Sequence, residues 1–408
     1  MKIKSIQEQY KIKDICLQER LDDIVPSVML EYDVDAWLVA SKEYHEDLVF
    51  DALTPASYLT ARRITMVVFV KRDGVVSRHS LSMPDSELNK FYPQYWDMSK
   101  ETQLEALKRF LEEYDPKSIA INISKDFTFA DGLSYGLYTL FNEALPKTYT
   151  DRFVIEPMIP IKVMEIRTKS ELSLYPEVLE VAFSVMEEMF STKQVTPGKT
   201  TCADLEFFMM QKVSDLGLTY WFSPTVDIQR EGHEGVIYDG VIEEGDLLHC
   251  DFGLKYLNLC TDTQRLAYVA KQGENEVPKW MCDGFVINNR FQDIVCETMQ
   301  IGKSGNEVLA ESLAKAKAEG IDVTLYSHPC NIYGHGPGPT IGLWNNQNSI
   351  PYSGDIKMSA NTVYALELNI KETHDNISYT FFSEETIAFL ENSVQFLYRG
   401  RKQIYLIK

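Results

Sequence analysis

Two segments late in the chain each read as a long apolar strand with a glutamate inside it. Residues 363–370 hold Glu367 within Val-Tyr-Ala-Leu-Glu-Leu, and residues 378–390 hold Glu384 within Phe-Phe-Ser-Glu-Glu-Thr-Ile-Ala-Phe. A carboxylate among large apolar side chains is costly unless it is paired or bound to a cation. A fold for this chain must supply such a partner or turn the glutamates outward by strand alternation. Glu385, next to Glu384, fits the outward orientation.

Other acids and histidines are candidates for that partnership. An apolar run after Gly245-Asp246 reaches Asp251-Phe252-Gly253, and Asp262 follows eleven residues after Asp251. A carboxylate ending one strand and a second across a turn can converge on one site, although the pair alone also fits two unrelated surface acids. His328 closes a strand at 321–326, and His335 follows seven residues later. Gly334, Gly336, Pro337, Gly338 and Pro339 exclude a helix between and beyond them, so this is a Gly/Pro-rich loop carrying two imidazoles. A lone histidine is more often structural; two in such a loop point to a site.

The first third of the chain reads as mixed α/β. Residues 36–40 form a buried strand, and 64–70 and 75–77 flank Lys71-Arg72-Asp73-Gly74 as a hairpin. Residues 118–123 make another strand and 101–114 a helix. Pro157 and Pro160 then break the pattern. A long helix opens near Arg167, with Tyr175, Val178, Leu179, Ala182, Phe183, Met186, Met189 and Phe190 on one amphipathic stripe. Further helices are expected at 202–216, 279–299 and 306–319. Helices in blocks with strands around them make an α+β protein. The expected domains are 1–163 and 164–408.

Composition bounds the partners. Forty Lys and Arg against sixty Asp and Glu give a net charge of −20, which argues against nucleic acid and disfavours anionic membranes. The longest clean apolar run in the first part of the chain, 64–70, is far short of the roughly 18 residues of a membrane span. Seven cysteines with no Cys-x-x-Cys fit reduced thiols rather than a disulfide framework or zinc ribbon. No secretory signal follows Met1-Lys2-Ile3-Lys4, so a cytoplasmic location is expected.

In order, Asp251, Asp262, His328, Glu367 and Glu384 resemble the ligand set of the pita-bread metallopeptidases: methionine aminopeptidase, aminopeptidase P, prolidase and the related creatinase. The resemblance covers about 165–395 in motifs, with the eleven-residue Asp–Asp spacing and Glu384-Glu385-Thr386 as its most specific parts. It implies a C-terminal pita-bread catalytic domain behind a smaller creatinase-like α/β domain. It also implies two divalent metal ions, Mn²⁺ first, with Co²⁺, Fe²⁺ or Zn²⁺ as alternatives.

By the same resemblance Asp251 ligates one metal, Asp262 and Glu384 bridge the two, and Glu367 ligates the second and shuttles a proton. His328 looks like the ligand imidazole and His335 the substrate-facing one; the converse, with His335 as ligand, stays open. His233, eighteen residues before Asp251, matches a substrate-contacting histidine of methionine aminopeptidase, while an exposed loop histidine is the bland alternative. His45, His79, His249 and His374 match nothing and are expected to be structural. The implied activity is hydrolysis of an N-terminal peptide bond of a small peptide, of the Xaa-Pro aminopeptidase or dipeptidase kind, by a homodimer.

Three positions depart from the family pattern. Phe382 stands where aminopeptidase P and prolidase usually carry Arg, Gln264 where Thr is usual, and Asn331 where Gly is usual. Phe382, Gln264 and the unusual Gly336-Pro337-Gly338-Pro339 run after His335 touch proline specificity more than metal binding. The rival readings are a creatinase-like non-peptidase C–N hydrolase and a non-catalytic binding protein on the same fold. A Gly-x-Ser-x-Gly match at Gly132 to Gly136 raises a serine hydrolase, but Lys125-Asp126-Phe127-Thr128 is not the apolar strand such a motif needs.

Overall fold

A computed structural model describes every residue except Met1, Asn392, Arg399, Gly400 and Lys402. The chain divides into two compact units, Lys4–Ser170 and Glu171–Lys408.

The first unit holds a five-stranded sheet in the order β3-β2-β1-β4-β5. Its strands are β1 (Ala36–Lys42), β2 (Ile64–Arg72), β3 (Val75–Ser80), β4 (Ile119–Ile121) and β5 (Phe153–Val154). The helices are α1 (Ile6–Glu19), α2 (Val25–Glu31), α3 (Phe50–Leu53), α4 (Gln103–Tyr114), α5 (Tyr135–Ala144), α6 (Lys147–Thr150) and α7 (Met158–Glu165). β1 is the central strand, antiparallel to β2 and parallel to β4. Both its faces are covered, which is why it reads as a continuous apolar run rather than an alternation. Leu38 and Val68 join Phe110 and Phe141 in one core, while Trp37 stacks on Phe69 at 5.4 Å from the other face. The β2–β3 turn needs two left-handed residues, and Asp73 and Gly74 supply them at φ 53° and 78°.

One expectation changes here, and one motif is explained. Pro157 and Pro160 do not break structure: they open α7, where a missing N–H near the helix start loses no internal bond. Ser134 of the Gly-x-Ser-x-Gly match is the N-cap of α5, its hydroxyl accepting the Leu137 N–H at 3.2 Å. The motif is a helix start.

The helices of the second unit are α8 (Lys169–Met189, in this unit from Glu171 on), α9 (Cys202–Asp215), α10 (Lys279–Thr298) and α11 (Gly305–Ala318). The expected stripe of α8 is buried from Tyr175 to Met189, and the helix runs on through Pro176. The main sheet runs β12 (Val323–Leu325), β14 (Thr362–His374), β15 (Ile377–Phe389), β11 (Thr263–Val269), β8 (Leu247–Phe252), β7 (Thr225–Gln229). β13 (His328–Pro329) pairs with β14, β16 (Val394–Phe396) with β15, and β17 (Tyr405–Ile407) with β11. A small sheet joins β6 (Thr219–Tyr220), β9 (Leu254–Tyr256) and β10 (Leu259–Cys260).

Alternation along β14 and β15 separates core from site. Leu366, Leu368, Ile370 and Phe381 face the core that includes Phe285 and Phe291 of α10. Each such side chain contributes about 1.5–3 kcal/mol by burial. Gly284 of α10 makes room, since a Cβ there would stand 2.6 Å from the Phe381 ring. Glu367 and Glu384, offset by one residue from this apolar set, project to the opposite face.

Candidate metal centre

The strand register assembles a single row of side chains. Asp251 of β8 pairs with Gln264 of β11, Gln264 with Glu384 of β15, and Glu384 with Glu367 of β14. Directly opposed residues of antiparallel strands share a face, so all four project together. Asp262 enters from the β10–β11 turn and His328 from β13. Ligand atoms of Asp251, Asp262 and Glu384 lie within 4.8 Å of one another, as do those of His328, Glu367 and Glu384.

His328 is oriented for this cluster. Its Nδ1 meets the Pro329 carbonyl at 3.1 Å, so Nδ1 carries the proton and Nε2 presents its lone pair. Nε2 stands 3.4 Å from Asp262 Oδ2 and 3.9 Å from both Glu367 Oε2 and Glu384 Oε1. His335 is placed at the rim: its ring is 4.4 Å from that of His328, and among the described residues Asp262 is the carboxylate grouped with it. His328 therefore reaches three acids where His335 reaches one. His233 lies exposed between β7 and β8, its backbone N–H bonded to Arg230 O, and joins neither group.

The electrostatics are unbalanced as the residues stand. Among the described residues no Lys or Arg forms an ion pair with Asp251, Asp262, Glu367 or Glu384. Burial, reinforced by the neighbouring Asp262, pushes Asp251 up to about 8. Burial also holds Asp262, Glu367 and Glu384 well above the usual carboxylate range, with mutual repulsion adding to it at both glutamates. Burial lowers His328, and burial with the adjacent His328 takes His335 down to about 4. Asp251 Oδ1, both Glu384 oxygens and His328 Nε2 are buried without hydrogen-bond partners. Orphaned acceptors converging on one point, all hard oxygen plus one imidazole, are the donor set of a divalent transition-metal site. The residues present fit two such ions, whose charge would offset four carboxylates.

The surroundings explain the departures from pattern. Asn331 is fully buried and its Oδ1 accepts the Tyr333 N–H at 3.0 Å. It fits because Gly336 has no side chain: a Cβ there would lie 2.2 Å from Asn331 Nδ2. Phe382 stacks on His249 at 4.2 Å. Glu385 does face away from the site, yet it is only 1 % exposed and pairs with Arg265 at 2.8 Å. The sequence reading missed that partnership, since Arg265 lies on a different strand and packs over Phe183 of α8. It also left His249 without a function. His249 lies two residues before Asp251 on the same strand face, and that period-2 spacing was the available signal.

The class of protein is now defined. The profile of metallopeptidase family M24 matches residues 174–395, more than half of the chain, and the chain belongs to this family. No curated protein sequence matches it. Among solved structures it is similar to an X-Pro aminopeptidase from Thermotoga maritima, at TM-score 0.64 and 16 % identity, covering 92 % of this chain and 98 % of that one. A Xaa-Pro dipeptidase from Bacillus anthracis matches at TM-score 0.64 and 16 % identity over 96 % and 99 % of the two chains. A prolidase from Pyrococcus furiosus matches at TM-score 0.57 and 17 % identity over 92 % and 99 %. The fold is accordingly the pita-bread α+β fold of that family. Among the described residues no helix is long and apolar enough to cross a membrane.

Proposed function

We propose that this chain is a two-metal peptidase that hydrolyses the N-terminal peptide bond of a short peptide, of the Xaa-Pro aminopeptidase or dipeptidase kind. The observation that carries the reading is the row Asp251, Glu384, Glu367 with Asp262 and the bare His328 Nε2. Asp251, Asp262, His328, Glu367 and Glu384 would hold the ions. Two divalent ions held there would supply metal-bound hydroxide near neutral pH and Lewis-acid polarisation of the scissile carbonyl.

The protein's own groups do the rest. Glu367, half-buried at the edge of the cluster, takes a proton on its carboxylate and passes it to the leaving amine. His335, at the rim, donates a hydrogen bond to the oxyanion or to the leaving nitrogen. His233, on the exposed loop between β7 and β8, is assigned a substrate-facing role in the same reading. Phe382 and His249 form an aromatic wall where an arginine is usual in proline-directed members. That favours short peptides of broader sequence alongside Xaa-Pro substrates. Mn²⁺ as the resident metal, a homodimeric state and a cytoplasmic location complete the proposal.

The test is a panel of Xaa-Pro dipeptides, longer Xaa-Pro peptides, non-proline dipeptides and amidines, each with and without Mn²⁺, beside metal analysis of the purified protein. Turnover of peptides that depends on the metal is expected. Amidine turnover alone would favour a creatinase-like hydrolase. Metal well below one equivalent with no activity on any arm would leave a binding protein on this fold.

A further inference from the structure

Gln264 occupies the centre of the row of acids, between Asp251 and Glu384, and carries no charge. Its Nε2–H donates a short hydrogen bond to Glu367 Oε1. Glu367 is two strands away from β11, roughly 10 Å of interstrand spacing, so only a long side chain reaching from each end closes that gap. A threonine could not. Behind the amide, Gln264 Oε1 meets His249 Nε2 at 3.0 Å, and His249 Nδ1 meets Asp227 Oδ2 at 2.8 Å. Gln264, His249 and Asp227 are only 2 %, 6 % and 5 % exposed. Asp227 and His249 are directly paired across β7 and β8, and the Phe382 ring stacked on His249 blocks its rotation.

The direction of the chain follows from chemistry. The amide nitrogen faces Glu367 and the amide oxygen faces His249, the sense that a metal-binding carboxylate, which only accepts, requires. His249 then presents an N–H on each side, Nε2–H to Gln264 and Nδ1–H to Asp227, as the imidazolium. One Glu367 oxygen is engaged by Gln264 while Oε2 is left facing His328 at 3.9 Å.

We propose that Gln264, held by His249 and Asp227, is a positioning residue of the metal centre that sets the orientation of the Glu367 carboxylate. This rests on the two-metal reading. Outer partners of this kind are commonly worth about 10–100-fold in metal affinity.

The experiment titrates metal-free, full-length protein with Mn²⁺ by calorimetry and records the visible absorption of the Co²⁺-loaded form. Gln264→Met keeps the length and removes the amide; Mn²⁺ affinity is expected to fall about 10–100-fold and the Co²⁺ bands to change. Asp227→Asn should shift both readouts the same way by less. Gln229→Met is the control: Gln229 is similarly buried but among the described residues its side chain bonds the Thr380 backbone alone, so it should lower stability and leave both readouts alone. If Gln264→Met does not fold, Gln264→Asn, which withdraws the amide by one bond, should show the same loss. Wild-type affinity and an unchanged Co²⁺ spectrum in the folded Gln264 variant would overturn the inference while leaving the two-metal reading intact. Wild-type protein that takes up neither metal would overturn the two-metal reading and this inference with it.

Discussion

Glu367 and Glu384 stand directly opposite each other on adjacent antiparallel strands, and among the described residues no Lys or Arg forms an ion pair with either. Like charges so placed destabilise a sheet unless a proton or a cation intervenes. The pairing therefore ties the stability of the second unit to what occupies the site, and the following outcomes are expected.

Metal-free protein should lose stability as pH rises. The cluster acids have folded-state pKa values raised above their unfolded ones, Asp251 to about 8. Between the unfolded value near 4 and the raised folded value the native state holds more protons than the unfolded state, so stability falls across that window. With Mn²⁺ the trend should reverse, because binding displaces those protons more easily at higher pH. Calorimetric melting from pH 5 to pH 8, with chelator and with Mn²⁺, checks both signs.

Asp262→Asn should separate stability from function. It replaces a carboxyl that burial holds protonated well above its unfolded range by an uncharged amide of nearly the same shape, so above the unfolded pKa the melting temperature of the metal-free protein should rise. The same change should weaken Mn²⁺ binding by more than the roughly 100-fold upper range of outer partners, and abolish peptide turnover. Full activity in this variant would refute the two-metal assignment.

The two loop histidines should behave differently. His328→Ala should empty the site of metal, since its Nε2 faces three carboxylates. His335→Ala should keep the metal and lower kcat by roughly 100-fold or more, the range for one hydrogen-bonding catalytic group. Metal content by mass spectrometry beside steady-state kinetics reads the difference, and the reverse pattern would make His335 the ligand.

Gly336→Ala should distort the histidine loop. Its Cβ would lie 2.2 Å from Asn331 Nδ2, and overpacking of this kind costs about 1–3 kcal/mol. Adding Asn331→Gly should recover most of that loss, because the two side chains compete for one space. Chemical denaturation of the single and double variants gives the coupling, and additive effects would show that the two sites are independent.

Much of the candidate site was legible because its signals are local. Glu367 and Glu384 stand out as carboxylates within apolar strands, and the Asp251–Asp262 spacing and the His328–His335 loop are short-range features. What eluded the sequence reading depended on distant partners. His249 acquires meaning only beside Asp227 and Gln264, twenty-two and fifteen residues away. Glu385 was read as outward-facing, but whether an outward face meets water or Arg265 is set by what packs there.

The sequence by itself determined which residues carry charge, where strand alternation separates them from the core, and the family those spacings resemble. Only the tertiary structure decided which residues are neighbours. A period of two is a property of one strand, whereas register is a property of a pair. It is the register of β8, β11, β15 and β14 that places Asp251, Gln264, Glu384 and Glu367 side by side.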